Sequence, residues 1–171
     1  MIDQVRGDES TRVPRRGPAV AQLVLACIWL GAALLFVAVV APAAFAALPT
    51  RTLAGALVGA VLPPLFYAGI AIGLALLATA AWANRGRLVT RGTVGGFIVA
   101  VSCAGAQLIV APRIERVRAT IEGPVESIPA TDSRRIAFGR LHMASVLWLG
   151  VAVIGAAVNA SGAAATLRRT S

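Results

Sequence analysis

The stretch AVAQLVLACIWLGAALLFVAVVA, residues 19–41, decides how this chain is read. It runs for about 23 residues without a charged side chain. At 1.5 Å per residue, a helix of that length crosses a hydrocarbon core ~30 Å thick. Before it, residues 1–18 are polar, carry Arg12, Arg15 and Arg16, and lack an apolar period. They read as a disordered polar tail. After it come Pro42 and the small-residue pattern Ala44-Phe45-Ala46. A charged start, an apolar run and that pattern also resemble a cleavable signal peptide. Signal cores run about 7–15 residues, however, so the length argues for a retained membrane helix.

Outward from this run the same pattern recurs. Thr52 to Asn84 is uncharged over roughly 33 residues, more than one straight crossing needs. Pro63-Pro64 divides it, because proline is tolerated in a helix's first turn and disruptive further in. A second span is expected over 63–82. Residues 51–62 read as an interfacial helix or as the start of one kinked helix. There Gly55 and Gly59 have the spacing that permits close helix contact, although a chain this rich in Gly and Ala produces it readily by chance. Arg85, Arg87 and Arg91 mark a polar turn. A third span covers 93–111, with Cys103 and Gln107 one turn apart on one face. Gln107 is expected to point inward and find a partner across helices.

The polar segment 113–140 reads as a partly helical loop. Ile114, Val117 and Ile121 form an apolar stripe, and Glu115–Arg118 and Arg118–Glu122 are favourable pairs. Gly123-Pro124 stops that helix, and Asp132 or Ser133 caps the next. A fourth span follows over 141–160, and 163–171 is a short basic tail. The expected architecture is all-α: a four-helix transmembrane bundle within residues 19–162. Pro42, Pro63, Pro64 and Pro112 are its expected structural turns.

Composition agrees. Charged residues make up 13% of the chain, about half the share of a soluble domain. The net charge of +9 comes entirely from arginines, most of them beside apolar runs, and aromatic content is 5%. That pattern fits membrane-edge anchors and argues against nucleic-acid binding. The expected partner is the lipid bilayer, with homo-oligomers as an alternative to a lone bundle. The absence of lysine removes a P-loop lysine, a Schiff base and a Ser-Lys dyad. Cys27 and Cys103 lie inside apolar runs without CxxC spacing and read as small hydrophobes.

Four spans put both termini on one side. Nine arginines flank that side against seven on the other, which favours cytoplasmic termini. The segments 42–51, 112–113 and 140–142 then emerge together on the opposite face. That face gathers a polar mouth of Pro42, Arg113, Arg140 and His142, and the candidate ligand- or proton-handling residues are His142, Arg113, Arg140, Ser145 and Gln107. His142, the one histidine, fits a structural hydrogen-bonding role, a proton or ligand relay, or an axial haem or copper ligand. Zinc needs about four ligands, or three with water, and these residues do not supply them. Ser145 with His142 and Asp132 lacks the strained turn and oxyanion hole of a hydrolase. Arg113 and Arg140 suit lipid phosphates or an anionic ligand. No acidic residue falls within a span, which weighs against an ion-coupled carrier acting as a monomer. No catalytic residue, cofactor or metal is expected.

Four motifs carry a family resemblance: Trp29-Leu30-Gly31 with its apolar sequel, the Ala41-Pro42-Ala43-Ala44-Phe45 exit, Leu108-Ile109-Val110-Ala111-Pro112-Arg113-Ile114, and Phe138-Gly139-Arg140-Leu141-His142-Met143-Ala144-Ser145. In this order, over roughly residues 20–160, they are similar to the transmembrane protein 205 family. Trp148 stands where family members tend to carry a polar residue, often Asn. The resemblance implies a multi-pass membrane domain of about four helices and supplies no reaction. The composition, rich in Ala, Gly, Val, Leu and Arg, suggests a GC-rich genome, and the expected location is the bacterial inner (plasma) membrane. The resulting expectation is a non-enzymatic membrane protein. The rivals are a small oligomeric transporter or export accessory, and a haem- or copper-binding redox protein using His142.

Overall fold

The computed structural model describes residues 16–83 and 90–169. The tail over 1–15 and the turn at Arg85 and Arg87 lie outside the described residues. Among those described there is no strand, and four helical runs are long and apolar enough to cross a membrane. Hydrocarbon offers no hydrogen bonds to backbone N–H and C=O groups, so each crossing segment must pair its own as helix.

The first run joins α1 (Arg16–Leu35), a π-helical segment (Phe36–Val40) and α2 (Ala41–Ala47). The second is α3 (Arg51–Ala83). The third joins α4 (Arg91–Ala104), a π-helical segment (Gly105–Val110) and α5 (Ala111–Ala119). A 3₁₀ turn (Val125–Ser127) leads to α6 (Ser133–Arg168), which forms the fourth. Helix thus already includes residues 16–18 and continues to Arg168, into segments read as polar tails. The first and third runs each pack against α3 and α6, closing a ring of four antiparallel helices.

The four prolines do not act as turns; helix continues through all of them. Pro42 and Pro112 each sit two residues past the end of a π segment. The alanine before each proline makes the wide-turn bond: Ala41 N–H donates to Phe36 O, and Ala111 N–H donates to Ala106 O. Proline has no N–H and its ring crowds the carbonyl four residues back. One extra residue in the turn relieves that crowding without ending the helix. Pro63 and Pro64 lie inside α3. Residues 51–62 therefore belong to the same continuous helix as 63–83.

Buried positions follow a seam. Gln22, Ala26, Trp29, Ala33 and Phe36 alternate steps of four and three, as do Ser145, Leu149, Ala152, Ala156, Asn159 and Ala163. That spacing belongs to bundle packing with helices near-antiparallel. Trp29, Phe66, Val99, Cys103 and Leu149 meet in the central cluster. Trp29 Nε1 donates to Leu65 O at 3.2 Å. Glycine makes this approach possible: a Cβ on Gly69 would collide with Cys103 Sγ and the Trp29 indole. Gly73 lies equally close to the Ala100 backbone, and Gly95 to Gly155 O and Asn159. Gly55 and Gly59, the pair with a recognisable spacing, instead face open space.

Candidate functional site

Arg91 and Arg113 are 22 residues apart, about 33 Å of helix, so they mark the two edges of a ~30 Å hydrocarbon core. Beyond Arg113, α5 and the start of α6 rise as a short polar hairpin. Asp132 caps α6: its Oδ1 accepts from Arg134 N at 2.8 Å. Its Oδ2 pairs with Arg134 Nη2 at 2.8 Å. The hydrogen bond from the Arg134 guanidinium is the main cause that lowers the Asp132 pKa to about 2. Arg134 Nη1 then donates to Thr120 O at 2.9 Å, binding the start of α6 to the end of α5. Arg135 Nη1 donates to Ile128 O at 2.8 Å and secures the loop. The α5 helix gives way after Ala119, and Gly123 takes the left-handed turn with φ of 94°.

This hairpin has two flanks with different chemistry. On one, Glu115 pairs with Arg118 at 3.5 Å. The Arg118 guanidinium lies 5.8 Å from the Phe138 ring centre, a cation–π distance. Phe138 in turn stacks on His142, ring centres 6.4 Å apart and planes 5° from parallel. The other flank holds a shallow, open groove of about 470 Å³ lined by Arg116, Val117, Thr120, Ser133, Arg134 and Ala137. Continuing that antiparallel register one turn toward the bilayer sets Arg113 level with Arg140.

The structure therefore separates residues that the sequence grouped. Residues on a helix turn about 100° each, so Arg140 and His142 point to nearly opposite sides of α6. His142 is exposed and belongs to the aromatic column; Arg113 and Arg140, also exposed, lie about one helical turn beyond the groove's lining residues, on its side of the hairpin. Ser145 is buried in the seam of α6. Asp132 lies ten residues, about 15 Å of helix, from His142, so no Ser-His-Asp constellation forms. Gln107 is half-buried in the second π segment, and its Oε1 is buried without a hydrogen-bond partner among the described residues. Pro42 lies in α2, on the first run. Among the described residues, no three His, Cys, Asp or Glu side chains gather to hold a metal ion.

Two features escaped the sequence reading. Asn159 is wholly buried; its Nδ2 donates to Gly92 O at 2.8 Å, while Oδ1 has no partner among the described residues. Gln22 closes against Gly92 from the first run. Both sit on the four-three seams, which was the signal available for finding them. The aromatic column was also legible in principle, since Phe138 and His142 are one turn apart.

Fold and site together define a multi-pass helical membrane protein with a polar hairpin at one face. The chain belongs to DUF4149, a domain of unknown function, whose family pattern matches residues 24–122. The match runs from within α1 to just past α5, the end of the third helical run, and stops before the start of α6. No curated protein and no solved structure matches the chain.

Proposed function

We propose that this protein is a non-enzymatic integral membrane protein of the transmembrane protein 205 type. Its place is a bacterial inner membrane, with both termini in the cytoplasm. It acts by binding at the face that carries α5 and the start of α6, and it passes no solute through its own bundle. The closed centre is the observation that supports this reading: Trp29, at 1% exposure, and Cys103, at 0%, pack with Phe66, Val99 and Leu149 across mid-depth. The spans also contain no carboxylate to carry a coupling ion. The arginine asymmetry supports the orientation.

Cys103 is a built-in probe of that centre. In a Cys27→Ala background, a water-soluble maleimide should leave Cys103 unmodified in the folded protein and label it after denaturation. Labelling at a solvent-like rate in the folded state would show an aqueous path and sink the proposal.

A second reading, a small transporter acting as an oligomer, is favoured by glycines that face outward. Gly31, Gly55, Gly59 and Gly150 have nothing within 4 Å of an added Cβ, and small residues let helices of separate copies approach. Cys27 is exposed one turn from Gly31. Under this reading a short bis-maleimide links Cys27 to Cys27 in native membranes; monomer alone would count against it.

A further inference from the structure

The flank with the groove has more positive charge than its own residues neutralise. Asp132 is committed to Arg134 and Glu115 to Arg118, and the charge of Glu122 acts on Arg134. Glu126 accepts from Thr52 Oγ1 at 3.4 Å, which turns it toward the tip of the first hairpin. Arg113, Arg116 and Arg140 form no ion pair or hydrogen bond with any described residue, and all three are exposed.

Their positions converge. Arg113, Arg116 and Thr120 follow one side of α5 at helical spacing, and Ser133, Ala137 and Arg140 follow the facing side of α6. The groove lies between these two rows. About one helical turn inward from its lining residues, Arg113 and Arg140 sit at the edge of the hydrocarbon, the depth at which lipid phosphates lie. Toward the bilayer centre, Arg140's side of α6 continues as Leu147, Val151 and Ile154, all exposed. A charged end at phosphate depth thus runs into an apolar track of acyl-chain character.

We propose that this groove seats one anionic phospholipid, its phosphate held by Arg113, Arg116 and Arg140 and its acyl chains lying along Leu147, Val151 and Ile154. Charge complementarity selects the occupant. Three uncompensated guanidiniums exceed what one zwitterionic headgroup neutralises, and guanidinium engages phosphate through paired N–H donors. The proposal deepens the face-binding reading above and rests on it. The two fail separately, since the Cys103 experiment does not depend on any lipid.

The test uses the purified full chain in neutral detergent, titrated with phosphatidylglycerol or phosphatidylcholine and read by native mass spectrometry. One phosphatidylglycerol should be retained in preference to phosphatidylcholine. Arg113→Gln, Arg116→Gln and Arg140→Gln should each weaken its retention about fivefold, the effect of one arginine at an anionic surface. Arg113→Lys, which keeps the charge and the fold, should lose less than Arg113→Gln. Arg51→Gln, at the same membrane face on the other hairpin, should leave retention unchanged. Equal retention of the two lipids would overturn the proposal. So would a loss in Arg51→Gln as large as that in Arg113→Gln, which would indicate diffuse surface charge. Inorganic phosphate bound at the groove and not displaced by phosphatidylglycerol would overturn it as well.

Discussion

At the scale of single residues, the fold depends on where a side chain is absent. Gly69 brings α3 against both Trp29 and Cys103, and this contact lets the indole donate to the Leu65 carbonyl. Gly31 has the same chemistry and no neighbour. Gly69→Leu should therefore destabilise the purified protein by about 1–3 kcal/mol, the cost of overfilling a packed core. Gly31→Leu should shift the unfolding midpoint little. Equal shifts on a denaturant series would show that Gly69 does not set the contact. Asn159 and Gln107 are the other residues of note at this scale. Each buries an oxygen without a partner among the described residues, a costly arrangement inside a membrane.

At the scale of elements, two devices recur. The first is a π segment followed by Ala-Pro, which carries the first and third runs through Pro42 and Pro112 without a break. The second is the cap of α6, which rests on a charge. The folded state holds Asp132 at a pKa of about 2, below its ordinary value of 3.8, through the Arg134 hydrogen bond. A lowered carboxylate pKa stabilises the folded form at pH above the ordinary value. That contribution fades as pH falls from about 3.8 through about 2. Hydrogen exchange at the Arg134–Ile136 amides should be steady above pH 4, after correction for intrinsic rates, and accelerate over that window. Asp132→Asn, which keeps a capping oxygen but cannot titrate, should show no such step. A step in both proteins would assign it to another group.

At the scale of the whole molecule, the bundle separates a closed apolar centre from a polar hairpin at one face. A single crossing, α6, separates Ser127 from Arg169 and puts them on opposite sides of the membrane. With Cys27 and Cys103 replaced by alanine, Ser127→Cys should react with an impermeant maleimide on intact cells. Arg169→Cys should react after lysis. The reverse pattern would invert the orientation argued from the arginines.

The sequence by itself determined that the chain is helical and crosses the membrane four times. Uncharged runs such as 19–41 have no other stable form in hydrocarbon, because each backbone polar group must pair within its own segment. It also marked the 113–140 region as the polar face and Asp132 as one of two capping candidates, since caps and charge pairs are local in the chain. What the tertiary structure decided was contact between runs. Four prolines read as structural turns lie within continuous helix, and at Pro42 and Pro112 one extra residue in the preceding turn makes room for the ring. Gly55 and Gly59 had the recognisable spacing, yet Gly69, Gly73 and Gly95 make the close approaches. The rotation of α6 against α5 parted His142 from Arg140 and aligned Arg140 with Arg113. Spacing along one helix shows which residues share a side; the helix that packs against it decides what that side becomes.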